Sequence, residues 1–522
     1  MPCASDDGIG GRSKVCLRLT SSGYIFERNC QSSFAEEESG RWGVVYTAHC
    51  VPTNPPWKMN VSRLGIAGSA NNSWIYCGNS WPSYSSEATN SLPTWLQRSK
   101  STPYCASALK LLSERENIRA AAREESRPRE ETQHGSRRRR NFGPEIIDHY
   151  SVETGAHPDQ IHKNRYNMVE PYDRSRVVVG CMDGEASGAE GQSCGRYLNA
   201  SWVKERYGRK WWIASQAPLP STAHAFLSVI LQPSTFPPTS LENKTNNVGP
   251  IRTVVQLTKN IEGGRTKAHP YFPDKVGQSL VLRPEDGHDA PALKSTLVEV
   301  KTHDDALCIE STVAVVPVAW YKTRPIPNIP VAQEIYQYGE DTGKPILFRH
   351  LLYHAWPDHG VPSRRDQPAL LNFARLVDTL NKTPLSVDII TSNDTPPDPP
   401  IMVGCSAGIG RTGTFIAISS ILRAFGLINP TTLNNSHQGH TMTSLLRRHL
   451  PWPLGNGSNH RPVFKELVMP FKSPLGPISQ EFADDMVVEE VDSLREQRPG
   501  MVQQDQQILF VYEILTSAFK RH

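Results

Sequence analysis

The sequence predicts an α/β domain. Short runs rich in β-branched residues alternate with longer helix-forming stretches, and one apolar run passes through a glycine loop straight into a helix. The first helical stretch runs from Ser107 to about Arg127, with Leu109, Leu111, Leu112, Ile118 and Ala120-Ala121-Ala122 among good helix formers. Thr253-Val254-Val255-Gln256-Leu257 and Thr312-Val313-Ala314-Val315-Val316 read as strands. Helices are expected near Pro368 to Leu380 and Gly413 to Leu427. Between those helices, Ile401-Met402-Val403-Gly404 enters a loop that begins at Cys405 and ends at Arg411.

The chain has 522 residues, more than one average domain needs. Hydrophobic content of 38% with 42 Pro and 36 Gly implies a true core plus much irregular chain. A net charge of +4 is too small to argue for a nucleic-acid partner. There is no internal repeat and no apolar run long enough to span a bilayer. The start, Met1-Pro2-Cys3-Ala4-Ser5-Asp6-Asp7, lacks the apolar centre of a secretion signal, so the expected location is the cytoplasm.

Three regions are expected. Residues 1–105 are rich in Ser, Asn and Gly without sustained periodicity and read as a poorly ordered extension. They hold Cys3, Cys16, Cys30, Cys50, Cys77 and Cys105, six of the ten cysteines, but no CxxC pair that would suggest zinc. Residues 106–145 carry the first helix and a charged linker ending in Arg137-Arg138-Arg139-Arg140. That run reads as a solvated linker or as a nuclear-entry or anion-binding signal. Residues 146–522 form the main domain.

The chemistry concentrates between Cys405 and Arg411. Ser406, Ala407, Gly408, Ile409 and Gly410 let the backbone turn so that successive N–H groups make a nest for an oxyanion. A helix starting near Arg411 adds its positive end. Arg411 offers a planar fork for two phosphoryl oxygens. The same field favours a thiolate on Cys405, since thiols in such surroundings titrate at roughly 3.5–7.5. Thiolate attack on a phosphate ester needs these parts, and it needs no metal or organic cofactor.

Cys405-Ser406-Ala407-Gly408-Ile409-Gly410-Arg411-Thr412-Gly413 resembles the signature loop of the cysteine-dependent protein tyrosine phosphatases, here of the phosphotyrosine-specific, non-receptor type. Other segments match the family in order. His162-Lys163-Asn164-Arg165-Tyr166 with Pro171-Tyr172-Asp173-Arg174-Ser175-Arg176 resembles its phosphotyrosine-recognition loop. Tyr197-Leu198-Asn199-Ala200-Ser201 and Ala214-Ser215-Gln216-Ala217-Pro218 resemble its early structural motifs. Glu262 and Lys267, Trp356-Pro357-Asp358-His359-Gly360, and Gln503 with Gln507 resemble its Glu/Lys loop, mobile acid loop and water-positioning loop.

The resemblance implies a strongly twisted mixed β-sheet flanked by helices on both sides. It also implies hydrolysis of phosphotyrosine in proteins. Cys405 would be the nucleophile, Arg411 the phosphate clamp, and Asp358 the general acid and then base. Thr412 would donate to the departing thiolate. Gln503 and Gln507 would orient the attacking water. Glu262 would hold Arg411, Lys267 would dock the acid loop, and Tyr166 would wall a deep pocket.

The chain also departs from the pattern. Gly404 stands where the family has His, and Met168 where it has an Asp that fixes the substrate backbone. Those two changes keep open a catalytically silent phosphotyrosine-binding module. Stretches around Pro233 to Pro250 and Asn393 to Pro400 read as inserted, exposed loops. Oligomeric state, physiological substrate and regulation leave no mark in the sequence.

Overall fold

The computed structural model describes residues 92–128, 141–180, 195–232, 250–285, 288, 290–322, 336–358, 360–385, 397–428, 469 and 471–520. The extension up to residue 91, the tetra-arginine run and the body of both inserted loops lie outside the described residues.

Strands β1 (Arg176–Val179), β2 (Arg196–Lys204), β3 (Trp211–Gln216), β4 (Thr253–Gln256), β7 (Ser279–Leu282), β8 (Ala292–His303), β9 (Cys308–Lys322), β10 (Tyr336–Asp341), β11 (Ile346–Tyr353) and β12 (Ile401–Cys405) form one sheet. Its order is β1-β2-β3-β12-β4-β11-β9-β8-β7, with β10 on β9. A two-stranded hairpin, β5 (Ile261–Glu262) and β6 (Arg265–Thr266), stands apart. The middle of the sheet is parallel, β12 pairing with β3 and β4, and β11 with β4. The flanks are antiparallel, so the sheet is mixed as expected.

The helices are α1 (Thr94–Arg98), α2 (Thr102–Ser126), α3 (Pro144–His149), α4 (Glu153–Ala156), α5 (Pro158–Ile161), α6 (Ala223–Leu231), α7 (Gln367–Lys382), α8 (Gly410–Ala424), α9 (Met486–Gln497) and α10 (Asp505–Lys520). The expected strands at 253–257 and 312–316 lie in β4 and β9, and the expected helices are α2, α7 and α8. Helix α8 starts three residues before the expected Gly413, directly at the end of the glycine loop.

Side-chain alternation divides the core. Ile401, Val403 and Cys405 of β12, with Trp212, Ala214, Val255, Leu351 and Tyr353, face a cluster filled by α7, α8, α9 and α10. Met402, with Trp211, Ile213, Val254 and Phe348, faces the other cluster, filled by α6. Both faces of the parallel strands are therefore covered, which explains their continuous apolar runs. Helix α8 is buried on every side from Gly410 to Arg423. Its far end is held by Arg423, which bonds Glu205 at 3.2 Å and also Asp378. The end of the second inserted loop turns inward: Pro399 and Pro400 are buried, and the buried Asp398 carboxylate pairs with Lys210 just before β12 begins.

Helix α2 packs on the domain rather than standing off it. Leu92, Trp95 and Leu96 precede it and join the main core together with its Leu112. Arg119, fully buried, bonds Asp492 at 2.6 Å and Glu496 at 2.6 and 2.9 Å on α9. Arg495 of α9 donates to the Leu112 carbonyl at 2.9 Å and, on its other side, to the carbonyls of Met501 and Val502. The N-terminal helix is thus tied to the segment that leads to Gln503.

Removing one partner of a buried ion pair costs about 3–5 kcal/mol. Arg119→Leu is expected to lower unfolding stability by about that amount, read from urea titrations. Burial works to raise the Glu496 pKa, but the hydrogen bond from His149 and the charge of Arg119 prevail and hold it down to about 2. Its folded pKa lies below the ordinary 4.5, so its contribution is complete above 4.5 and is lost as pH falls towards 2. Glu496→Gln should flatten the stability loss across that acidic window.

Candidate active site

Strand β12 ends at Cys405 in the parallel centre of the sheet, where open α/β sheets place their ligands. The chain then turns over the end of β3. Gly408 adopts φ +71°, and a Cβ there would lie 2.2 Å from the Ser215 carbonyl oxygen. Only glycine fits that approach.

The backbone polar groups of this turn can be accounted for one by one. The Gly404 carbonyl accepts from Leu257 N–H at 2.8 Å. Those of Cys405 and Ser406 share Ala217 N–H at 3.0 and 3.1 Å. Those of Ala407 and Gly408 accept from the Arg498 guanidinium at 3.1 and 2.8 Å. The Ile409 carbonyl accepts from Gly413 and Val502 N–H. By contrast, the N–H groups of Ser406 through Arg411 donate to no described residue. Every carbonyl is taken and every amide proton is free, which is the arrangement an oxyanion requires.

Arg498 was not found by sequence reasoning. It is fully buried, and it also bonds Asn199 at 2.8 Å and Ser201 at 3.2 Å, without a carboxylate partner among the described residues. Burial draws its pKa down to about 10, with Tyr197 and Cys405 pulling the other way, so it remains a cation. The only sequence trace was its place before Pro499-Gly500, which marks a turn and says nothing of burial.

Around this loop the structure gathers the expected side chains. Arg411 makes a bidentate pair with Glu262, 2.8 Å in both arms, and donates to the Leu257 carbonyl at 3.1 Å. Burial opposes the Arg411 charge, but Glu262, Cys405 and Asp358 together raise its pKa above the ordinary value. Asp358 reaches Arg411 at 3.5 Å and Lys267 at 2.7 Å, so the acid loop lies over the site. The Tyr166 hydroxyl meets Ser406 Oγ at 2.7 Å, and Ser406 Oγ donates to the Lys267 carbonyl at 2.8 Å. Thr412 Oγ1 is buried with no hydrogen-bond partner among the described residues. Gln503 and Gln507 flank Gly410: a Cβ there would lie 3.5 Å from Gln503 Cβ and 3.0 Å from Gln507 Nε2. Among the described residues no cluster of His, Cys, Asp or Glu is grouped to hold a metal.

Comparison with known proteins agrees with this geometry. The family model described as Protein-tyrosine phosphatase matches residues 160–433. The chain belongs to the protein-tyrosine phosphatase family. It is 30% identical over 260 residues to the human receptor-type tyrosine-protein phosphatase eta, covering 50% of this chain and 14% of that protein. It is 30% identical over 267 residues to the Arabidopsis thaliana protein-tyrosine-phosphatase PTP1, covering 50% and 58%. Human tyrosine-protein phosphatase non-receptor type 14 is 28% identical over 265 residues, covering 50% and 17%. The chain therefore spans a small part of the receptor-type relative and somewhat over half of the plant one.

Within this phosphatase domain Gly404 has a steric explanation. A Cβ on it would stand 2.7 Å from the Ser215 carbonyl oxygen, so β3 and β12 are too close here for a side chain. Behind it a cavity of about 20 Å³ is lined by Phe226, Tyr271, Met402 and Cys405, room for about one water. The loop is oriented instead by its backbone bonds and by Arg498.

Overpacking costs about 1–3 kcal/mol. Gly404→Ala is expected to destabilise the domain by that much in thermal melts. Arg498→Met would release two loop carbonyls and remove a buried cation. It should lower kcat/KM by roughly a hundredfold.

Proposed function

We propose that this chain hydrolyses phosphotyrosine in proteins through a cysteinyl-phosphate intermediate. The observation that carries the reading is the run of free amide protons from Ser406 to Arg411, set between a thiol and a guanidinium. The phosphoryl group would sit in this nest with two oxygens on Arg411. The Cys405 thiolate attacks phosphorus as the P–O bond to tyrosine breaks, and Asp358 gives its proton to the leaving phenolate oxygen. Water then attacks phosphorus, passing a proton to the Asp358 carboxylate. The S–P bond breaks, and the Thr412 hydroxyl stabilises the returning thiolate. Gln503 and Gln507, beside Gly410, hold that water.

Electrostatic preorganisation supplies most of the acceleration, since the donors are fixed before substrate arrives. Tyr166, about two-fifths exposed at the rim, walls a pocket deep enough for an aryl phosphate. The shorter phosphoserine would not bring its phosphorus to Cys405. The partners are phosphotyrosine-containing proteins, and the role is signal transduction. No helix among the described residues is long and apolar enough to cross a membrane. Cytoplasmic residence, with nuclear access through Arg137-Arg138-Arg139-Arg140, completes the proposal.

Cys405→Ser is expected to abolish turnover of a phosphotyrosyl peptide, and Asp358→Ala to reduce it by roughly 10²–10⁴-fold. A chelator should leave the rate unchanged, and a phosphoseryl peptide should remain intact. Peptide binding without turnover by the unmodified chain would instead identify a binding module.

A further inference from the structure

The turn between α9 and α10 carries Gln503, and its backbone is held in a conformation it would not choose. Val502, fully buried, adopts φ +52°, in the left-handed region where a β-branched side chain is an outlier. Gly500, at φ +66°, is at ease there, but Val502 keeps such a turn only where its surroundings fix it.

The fixing group is Arg495. It is buried, and its guanidinium reaches three carbonyls, Nε to Met501, Nη2 to Val502 and Nη1 to Leu112, each at 2.9 Å. The carbonyls of Met501 and Val502 belong to the two peptide planes that flank Val502, so one rigid fork grips both. The Val502 N–H is taken by the Ile409 carbonyl of the nest loop at 3.3 Å. The third carbonyl anchors the grip. Leu112 lies in the middle of α2, and α2 is locked on α9 by Arg115, which bonds Asp492 at 2.9 Å, and by Arg119. Gln503 follows Val502 directly and stands beside Gly410 of the nest.

We propose that Arg495 is a positioning residue for the second half of the reaction: by holding Val502 in its turn, it keeps Gln503 where water attacks the cysteinyl phosphate. The proposal rests on the phosphatase reading given above. In the first half, sulfur attacks phosphorus and the phenol leaves. That half uses Cys405, Arg411, Asp358 and the amide nest, and Arg495 bonds none of them. In the second half the water oxygen attacks phosphorus, its proton passes to the Asp358 carboxylate, and the S–P bond breaks with its electron pair on sulfur. Only this half needs a water set in line. If the turn loosens, the Ile409 carbonyl still accepts from Gly413 N–H at 2.8 Å, so the nest keeps its own support. Loss of the fork therefore slows hydrolysis of the intermediate and spares its formation.

The test is stopped-flow hydrolysis of 4-nitrophenyl phosphate by the full chain, by Arg495→Met, Arg495→Lys and Gln503→Ala, and by the Arg495→Met/Gln503→Ala double variant. Arg495→Met is expected to lower kcat and KM together by about tenfold and to keep kcat/KM within about twofold of the parent. It should also release a burst of 4-nitrophenol approaching about one per active site. Arg495→Lys, a point charge that cannot span three carbonyls, should shift the same way by less. The double variant should be no slower than Gln503→Ala alone, since both changes act on the same water. Should Arg495→Met fail to fold, Arg495→Lys decides by the same signature. Variants that lose kcat/KM as far as kcat, without a burst, would overturn the proposal, because a residue that merely supports the fold slows both halves. Parent kinetics in both Arg495 variants, or losses that multiply in the double variant, would overturn it as well and leave the phosphatase reading standing. A parent chain that releases no 4-nitrophenol would defeat the phosphatase reading and the positioning role with it.

Discussion

The site depends on the way one short turn disposes of its peptide groups. A loop that frees consecutive N–H groups for a ligand must send its carbonyls elsewhere, and buried carbonyls without partners are costly. Here the carbonyls from Gly404 to Ile409 are taken by Leu257, Ala217, Arg498, Gly413 and Val502. Those partners come from the residues that directly follow β3 and β4, from α8 and from the segment after α9. The sheet order and helix packing are therefore what hold the nest open. The close approach to Ser215 at Gly404 and Gly408 is part of the same constraint.

Charge is arranged to match. Two arginines feel the charge of Cys405, and they are neutralised differently. Arg411 is paired with Glu262, which fixes its fork while leaving it beside the loop. Among the described residues Arg498 has only neutral partners, so no carboxylate there cancels its field. A cation in a dry interior acts far more strongly than one at the surface. Asp358, held by Lys267 and Arg411, is placed by the same set of ions.

Several of these features were legible in the sequence. The glycine loop between an apolar strand and a helix, with Cys405 and Arg411 at its ends, carries its own chemical logic. Asp358, Glu262, Lys267, Tyr166, Gln503 and Gln507 were reached through ordered motifs rather than through spacing, and the fold brings all of them around that loop. Arg498 and Arg495 were missed because arginine is mostly an exposed residue, and nothing local marks one that is buried. Gly404 read as a lost side chain, whereas the structure shows a position with no room for one.

By itself, the sequence determined which chemical groups are available and the local shape of the loop that carries them. Backbone conformation, helix start and strand alternation are short-range properties, set by residue type and period. Tertiary structure alone decided which groups share a charge, which carbonyls find a donor, and that α2 is clamped to α9 through Arg119 and Arg495. Such contacts arise from strands and helices distant in sequence, and their energies depend on distance and burial, which no local pattern records.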